Sequence, residues 1–160
     1  MSTKLQGTDD YLVGVISDTH GHLRPEGLKA FERADLIIHA GDIGKPAVLE
    51  ALRRVAPVYA VRGNMDAGGW ARELPERKIV EIGEVLIYVL HDLYDLDLDP
   101  AAAGFSAVIS GHTHKPLIDR RGSVLFLNPG TAGPFRSPAT VALLNLRGSS
   151  VEAKLVELKV

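Results

Sequence analysis

The chain contains no cysteine. Disulfide staples, thiolate nucleophiles and cysteine-based zinc sites are excluded together. It also lacks a charge surplus. The 18 Lys and Arg stand against 20 Asp and Glu, for a net charge of −2. Neither a basic track for nucleic acid nor an acidic tail for a basic partner is indicated. Long apolar runs are missing too: stretches such as 85–90 fall far short of the ~20 residues that span a bilayer. Residues 1–10 are polar and carry no apolar signal region, so they are expected to form a flexible tail. What remains is an ordinary globular composition, 46% hydrophobic and 24% charged over 160 residues. The expectation is one soluble, cytoplasmic domain spanning 1–160, large enough to bury its own core.

Apolar runs and helical patterns alternate in the first half. Runs at 11–16, 36–39 and 58–61 predict buried strands. Helices are predicted at 25–33, where Pro25 suits a first turn, and at 46–55, where Val48, Leu49, Leu52 and Val55 recur at helical spacing. This alternation predicts a parallel α/β sheet. The second half changes character. Strands are predicted at 77–82, 85–90, 107–110, 117–119, 124–127, 140–146 and 151–160, with turns around Gly83, Gly122 and Gly148. Antiparallel pairing is the expectation there. The 92–104 segment is rich in Asp and Ala, with a short helix predicted from Pro100.

Residues able to bind metal follow five of the apolar runs. They are Asp18 with His20, Gly41-Asp42, Gly63-Asn64, His91, and Gly111-His112-Thr113-His114. Ligands of open α/β sheets bind beyond the carboxyl ends of the strands. Two carboxylates, four histidines and an amide can therefore meet in one crevice. Seven donors exceed the four of a tetrahedral zinc. They suit two ions sharing a carboxylate, which can clamp the attacking and leaving oxygens of a phosphoryl displacement and acidify a bound water. A sulfur-free N/O set suits Mn, Zn, Fe or Ni.

Taken singly, most of these residues have a plainer explanation. Asp42 would cap a helix at Pro46, Asn64 would serve a turn after Gly63, and His91 would be a satisfied residue at a strand end. The His112–His114 pair is harder to explain in that way. His39, inside an apolar run, reads as a hydrogen-bonded core residue or a support for ligands. His22, Arg62, Thr131 and Arg136 are candidate substrate contacts. Two other patterns fail. Asp95, Asp97 and Asp99 alternate like a calcium loop, but Pro100 stands where glycine is required. Gly44-Lys45 lacks the Ser/Thr and the glycine spacing of a phosphate-binding loop.

Together, Asp18-x-His20, Gly41-Asp42, Gly63-Asn64, His91 and Gly111-His112-Thr113-His114 resemble the calcineurin-like metallophosphoesterases. More closely, the chain looks like their small bacterial and archaeal phosphodiesterases, and Asn128-Pro129-Gly130 fits the same subgroup. The resemblance implies a four-layer αββα sandwich, two mixed β-sheets flanked by helices. It implies that Asp18, His20 and His114 hold one divalent metal ion and Asn64, His91 and His112 a second, with Asp42 bridging. The implied activity is hydrolysis of small phosphate esters, foremost phosphodiesters, by a metal-bridging hydroxide. Asp42, Asn64 and His91 would serve catalysis directly. Manganese is the expected metal, with zinc, nickel or iron as alternatives.

Two departures from the family pattern stand out. Many larger relatives have a histidine after the asparagine; here Met65 and then Asp66 follow. No proton donor is evident at that place, so esters with leaving groups of low pKa are expected to react best. Asp92 follows His91 where relatives often have glycine. Other functions stay open: a non-catalytic protein-binding scaffold of the same fold, as in a small retromer subunit, a phosphomonoesterase, or a nuclease. The near-neutral charge disfavours the last. Self-association through strand edges, Trp70 or Phe135 is also open.

Overall fold

Period-two alternation decides which layer each side chain enters. The computed structural model describes residues 10–133 and 138–159 and contains two five-stranded sheets. The first holds β1 (Asp10–Ile16), β2 (Leu36–His39), β3 (Val58–Ala60), β9 (Ala139–Arg147) and β10 (Ser150–Leu158), in the order β10-β9-β1-β2-β3. The second holds β4 (Arg77–Ile82), β5 (Val85–Leu90), β6 (Ala107–Ile109), β7 (Leu117–Arg121) and β8 (Val124–Asn128), in the order β4-β5-β6-β8-β7.

Both sheets are mixed. In the first, β1, β2 and β3 run parallel, and β9 and β10 add antiparallel. In the second, β5, β6 and β8 run parallel between antiparallel edges β4 and β7. The expected antiparallel second half therefore holds for β4–β5, β7–β8 and β9–β10, but not for β5, β6 and β8. The connection 91–106 is long enough for the crossover that parallel strands require, which a count of strands and turns does not reveal.

Val13 and Val15 of β1, with Leu36 and Ile38 of β2, meet Ile87 and Val89 of β5 between the sheets. Each fully buried side chain of this kind contributes about 1.5–3 kcal/mol. The alternate residues Ile16 and Ile37 pack outward against Phe31, Leu49 and Leu52. That side is covered by α1 (Pro25–Ala30), α2 (Pro46–Arg53) and α3 (Gly69–Arg72). The outer face of the second sheet, with Tyr88, Leu90 and Phe126, lies under Phe105, Leu93 and Leu96. A 3-10 helix at Leu93–Asp95 belongs to that cover. The helix predicted from Pro100 is a turn, held because Asp99 Oδ1 accepts the Ala101 and Ala102 N–H groups at 3.1 and 3.3 Å. Among the described residues, no helix is long and apolar enough to cross a membrane.

Candidate metal centre

The backbone marks the site first. Among the described residues, the non-glycine positions at positive φ are Asp18, His20, Asp42, His112 and His114, at 50–71°. Such conformations cost on the order of 1–3 kcal/mol each and persist only where their surroundings hold them. All five belong to the predicted metal-binding set. Hydrogen bonds between the loops that leave neighbouring strands supply the hold. Asp18 N–H donates to Gly41 O and His20 N–H to Asp42 O, both at 3.0 Å, and Gly111 N–H donates to His91 O at 2.9 Å. Gly111 must be glycine for a steric reason: a Cβ there would fall on Ser17 Oγ and Asp18 Oδ2.

The side chains follow one rule, in which one polar atom is anchored and the other faces the cluster. Asp18 Oδ2 accepts from Ser17 Oγ at 2.5 Å and from His112 N–H at 3.1 Å. Its Oδ1 lies 3.3 Å from His114 Nε2 and 3.8 Å from His20 Nε2. Asp42 Oδ1 accepts the Met65 N–H at 2.9 Å, while Oδ2 lies 3.2 Å from His91 Nε2. His91 donates Nδ1–H to Ala40 O at 2.8 Å, which leaves Nε2 as the atom with a lone pair.

Two groups result, Asp18/His20/His114 and Asp42/His91/His112, each with its donor atoms within 4.8 Å of one another. Asn64 adjoins the second, its Oδ1 3.2 Å from His112 Nδ1. Atoms sharing an ion at about 2.0–2.2 Å are themselves about 3–3.5 Å apart, close to the spacings found here. Among the described residues, two buried side-chain atoms have no hydrogen-bond partner, Asp18 Oδ1 and His91 Nε2. They lie 4.0 Å apart inside this cluster. An unpaired buried polar atom costs about 1–3 kcal/mol, and a coordinated cation removes that cost.

The charges point the same way. Burial pushes the Asp18 carboxyl above its ordinary pKa, despite the Ser17 hydrogen bond and the adjacent histidines. Asp42 is also penalised by burial, but the neighbouring His91 and the Met65 N–H hold it below the ordinary value. Against its own burial, His91 is held above the usual imidazole range by Asp42. A nearby cation would favour the ionised form of Asp18. The donor set thus fits divalent metal ions, and its mixed N and O chemistry fits manganese, zinc, iron or nickel.

The remaining predicted residues fall in different places. Thr131, expected to meet substrate, is buried, and its hydroxyl donates to Asp18 O at 2.8 Å. It braces the Asp18 loop instead. Arg62 lines a cleft beside Asn64 and His91, with its guanidinium paired to Glu76 at 2.8 Å. His22 is exposed on the loop after β1 and lies outside both groups. Arg136, Phe135 and residues 1–9 lie outside the described residues. Trp70 is half-buried against the core under the helices. Asp42 does not cap α2, whose N-cap is Lys45 with no side-chain bond.

Sequence reasoning passed over two supports. Asp66 is buried and accepts Gly44 N–H and Gly63 N–H at 3.0 and 2.9 Å, tying the Asp42 loop to the Asn64 loop. Asn128 donates to Gly111 O at 2.9 Å and accepts Gly130 N–H. A carboxylate two residues past the Gly63-Asn64 pair was the available signal for Asp66.

His39 takes the Gly41 N–H on Nδ1 at 3.1 Å, and its Nε2 meets Thr19 Oγ1 at 3.1 Å. Burial, aided by the charge of His91, holds it neutral with a pKa lowered to about 3 from 6.5. Unfolded chains protonate this ring near 6.5, so they bind the extra proton. Stability is therefore expected to fall below about pH 6.5 by on the order of 1 kcal/mol per pH unit. Denaturant unfolding at pH 7 and pH 5 checks this, with a smaller difference expected for His39→Gln.

Known proteins can be set beside this geometry. The family model for the calcineurin-like phosphoesterase superfamily domain matches residues 11–149. A probable metallophosphoesterase of Methanocaldococcus jannaschii is 38% identical over 161 residues, covering 92% of this chain and 82% of that protein. The solved structure of an archaeal phosphodiesterase superposes with a TM-score of 0.75 at 24% identity, covering 91% of this chain and 99% of its own. Vps29 from Entamoeba histolytica, solved with zinc, superposes at 0.71 with 24% identity, covering 92% and 99%. At these identities the two solved structures speak to the fold. With the family pattern running through nearly the whole chain, and its carboxylates and histidines gathered at the strand ends, this protein belongs to the calcineurin-like phosphoesterase superfamily, as a metal-dependent phosphoesterase.

Proposed function

We propose that the protein is a phosphodiesterase that works with two divalent cations held side by side. One observation carries this reading. Asp42 Oδ2 lies 3.9 Å from His20 Nε2 of one group and 3.2 Å from His91 Nε2 of the other. A carboxylate oxygen so placed can serve two ions. Asp18, His20 and His114 would hold the first ion, and Asn64, His91 and His112 the second. Bound there, the pair would supply positive charge against the phosphoryl oxygens and a water of lowered pKa.

The chain's own residues orient the reaction. Asp18 and Asp42 form the buried floor, while His112 and His114 are 41% and 28% exposed. Substrate phosphate therefore approaches over the histidines. The cleft lined by Arg62, Asn64, His91 and Asp92 opens beside them, with room for the second substituent of a diester. Arg62 is the substrate contact that this arrangement favours. Met65, 64% exposed beside Asn64, has no proton to give. The carboxylate of Asp66 is committed to two backbone N–H groups. The leaving oxygen departs without a fixed acid at that position.

Purified protein given Mn²⁺ and aryl phosphodiesters of graded leaving-group pKa tests the proposal. Expected are metal-dependent hydrolysis, preference for the diester over the matching monoester, and rates that fall as leaving-group pKa rises. Hydrolysis surviving both Asp42→Ala and His112→Ala removes this site from consideration. A preference for the monoester overturns the diesterase assignment.

A further inference from the structure

We infer, resting on the two-metal reading, that Asp92 is a positioning residue for His112: its carboxylate charge, facing Nε2 of that ring at ion-pair distance, favours the proton on Nε2 and so leaves Nδ1 as the metal-binding atom. Asp92 directly follows the β5 end that carries His91. It is itself held in place, because Oδ1 accepts the Tyr94 N–H at 3.0 Å and starts the 3-10 helix. The other oxygen, Oδ2, lies 3.7 Å from His112 Nε2. On the opposite side of the ring, Nδ1 lies 3.2 Å from Asn64 Oδ1.

A neutral imidazole has one N–H proton, and two acceptors flank this ring. One is the neutral amide oxygen of Asn64; the other is the carboxylate of Asp92. The Asn64 oxygen is the nearer of the two, but the carboxylate carries a full negative charge, which attracts an N–H proton more strongly than a neutral oxygen does. That charge favours the proton on Nε2. The Nδ1 lone pair and the Asn64 oxygen then converge on the same space, which is what a shared cation needs. His91 uses the same device with the nitrogens exchanged, Nδ1–H tied to Ala40 O and Nε2 left for the cluster. Its side chain is only 6% exposed, against 41% for His112. The more exposed ring has fewer neighbours to orient it and gains more from an anchor. Partners of this kind fix ring orientation and raise ligand basicity.

Asp92→Asn is a clean probe, because asparagine caps as well as aspartate and keeps the Tyr94 contact while removing the charge. The first measurement is a long-range ¹H–¹⁵N spectrum of metal-free protein at about pH 8, above the ordinary imidazole pKa. Wild-type His112 is expected as the Nε2–H form, and Asp92→Asn is expected to shift it toward Nδ1–H. The second measurement is calorimetric titration with Mn²⁺. One of two sites is expected to weaken by roughly 10–100-fold in Asp92→Asn and to recover in Asp92→Glu, while the other site stays unchanged. A wild-type ring in the Nδ1–H form, or an Asp92→Asn protein matching wild type in both measurements, overturns the inference. A wild-type titration showing a single Mn²⁺ overturns the two-metal reading instead, and the tautomer spectrum still decides the role of Asp92.

Discussion

Asp42→Asn is expected to lower phosphoester turnover by on the order of 10³-fold, the scale of removing one preorganised electrostatic group from an active site. Thermal stability is expected to change far less. The two effects separate because of how the carboxylate is held. Its Oδ1 accepts the Met65 N–H at 2.9 Å, a bond that an asparagine oxygen repeats. The amide NH₂ then takes the place of Oδ2, 3.2 Å from His91 Nε2. That nitrogen has no hydrogen-bond partner in the native protein and would accept from the new donor. Folding therefore loses little. Cation binding loses a negative charge and meets a donor where an acceptor belonged. Turnover with added Mn²⁺, set beside melting temperatures taken in chelator, checks both halves. Turnover within tenfold of wild type would take Asp42 out of the bridging role.

Gly63→Ala is expected to cause a large structural effect for a single methyl group. The Cβ would land on the backbone nitrogen and the Oδ1 of Asp42, with Cγ at 2.9 Å. Backbone atoms cannot swing aside as a flexible chain end can. The loops after β2 and β3 must separate, although Asp66 ties them through Gly44 and Gly63. Overpacking of this kind costs roughly 1–3 kcal/mol. A displacement of about 1 Å at a catalytic group costs roughly 10²-fold in rate. Denaturant unfolding gives the first number, and turnover per folded molecule gives the second. An unchanged rate in the folded fraction would mean that Asp42 tolerates the shift, and that its placement is looser than the hydrogen bonds indicate.

Much of the site was legible in the chain because metal-competent residues directly follow apolar runs. A strand that emerges from a core must end in something polar. Asp-x-His, Gly-Asp, Gly-Asn, a lone His and Gly-His-Thr-His are more than such ends require. Thr131 was misjudged from the same evidence. A threonine in a loop after Asn128-Pro129-Gly130 resembles a surface contact, yet its hydroxyl is consumed by Asp18 O, 113 residues earlier. Asp66 was overlooked because a carboxylate among turn residues is ordinary until both of its oxygens are found on backbone N–H groups.

The amino-acid order alone determined the strand pattern, which side chains are able to bind metal and the absence of cysteine chemistry. These follow from period-two alternation and from residue type, which neighbours in the chain already carry. Tertiary structure decided the partition of those side chains into two adjacent groups, the place of Asp42 between them, the parallel middle of the second sheet and the approach of Asp92 to His112. Each of these depends on how two sheets stack. His20 meets His114 across 94 residues, and no local periodicity encodes a distance that only the packed core sets.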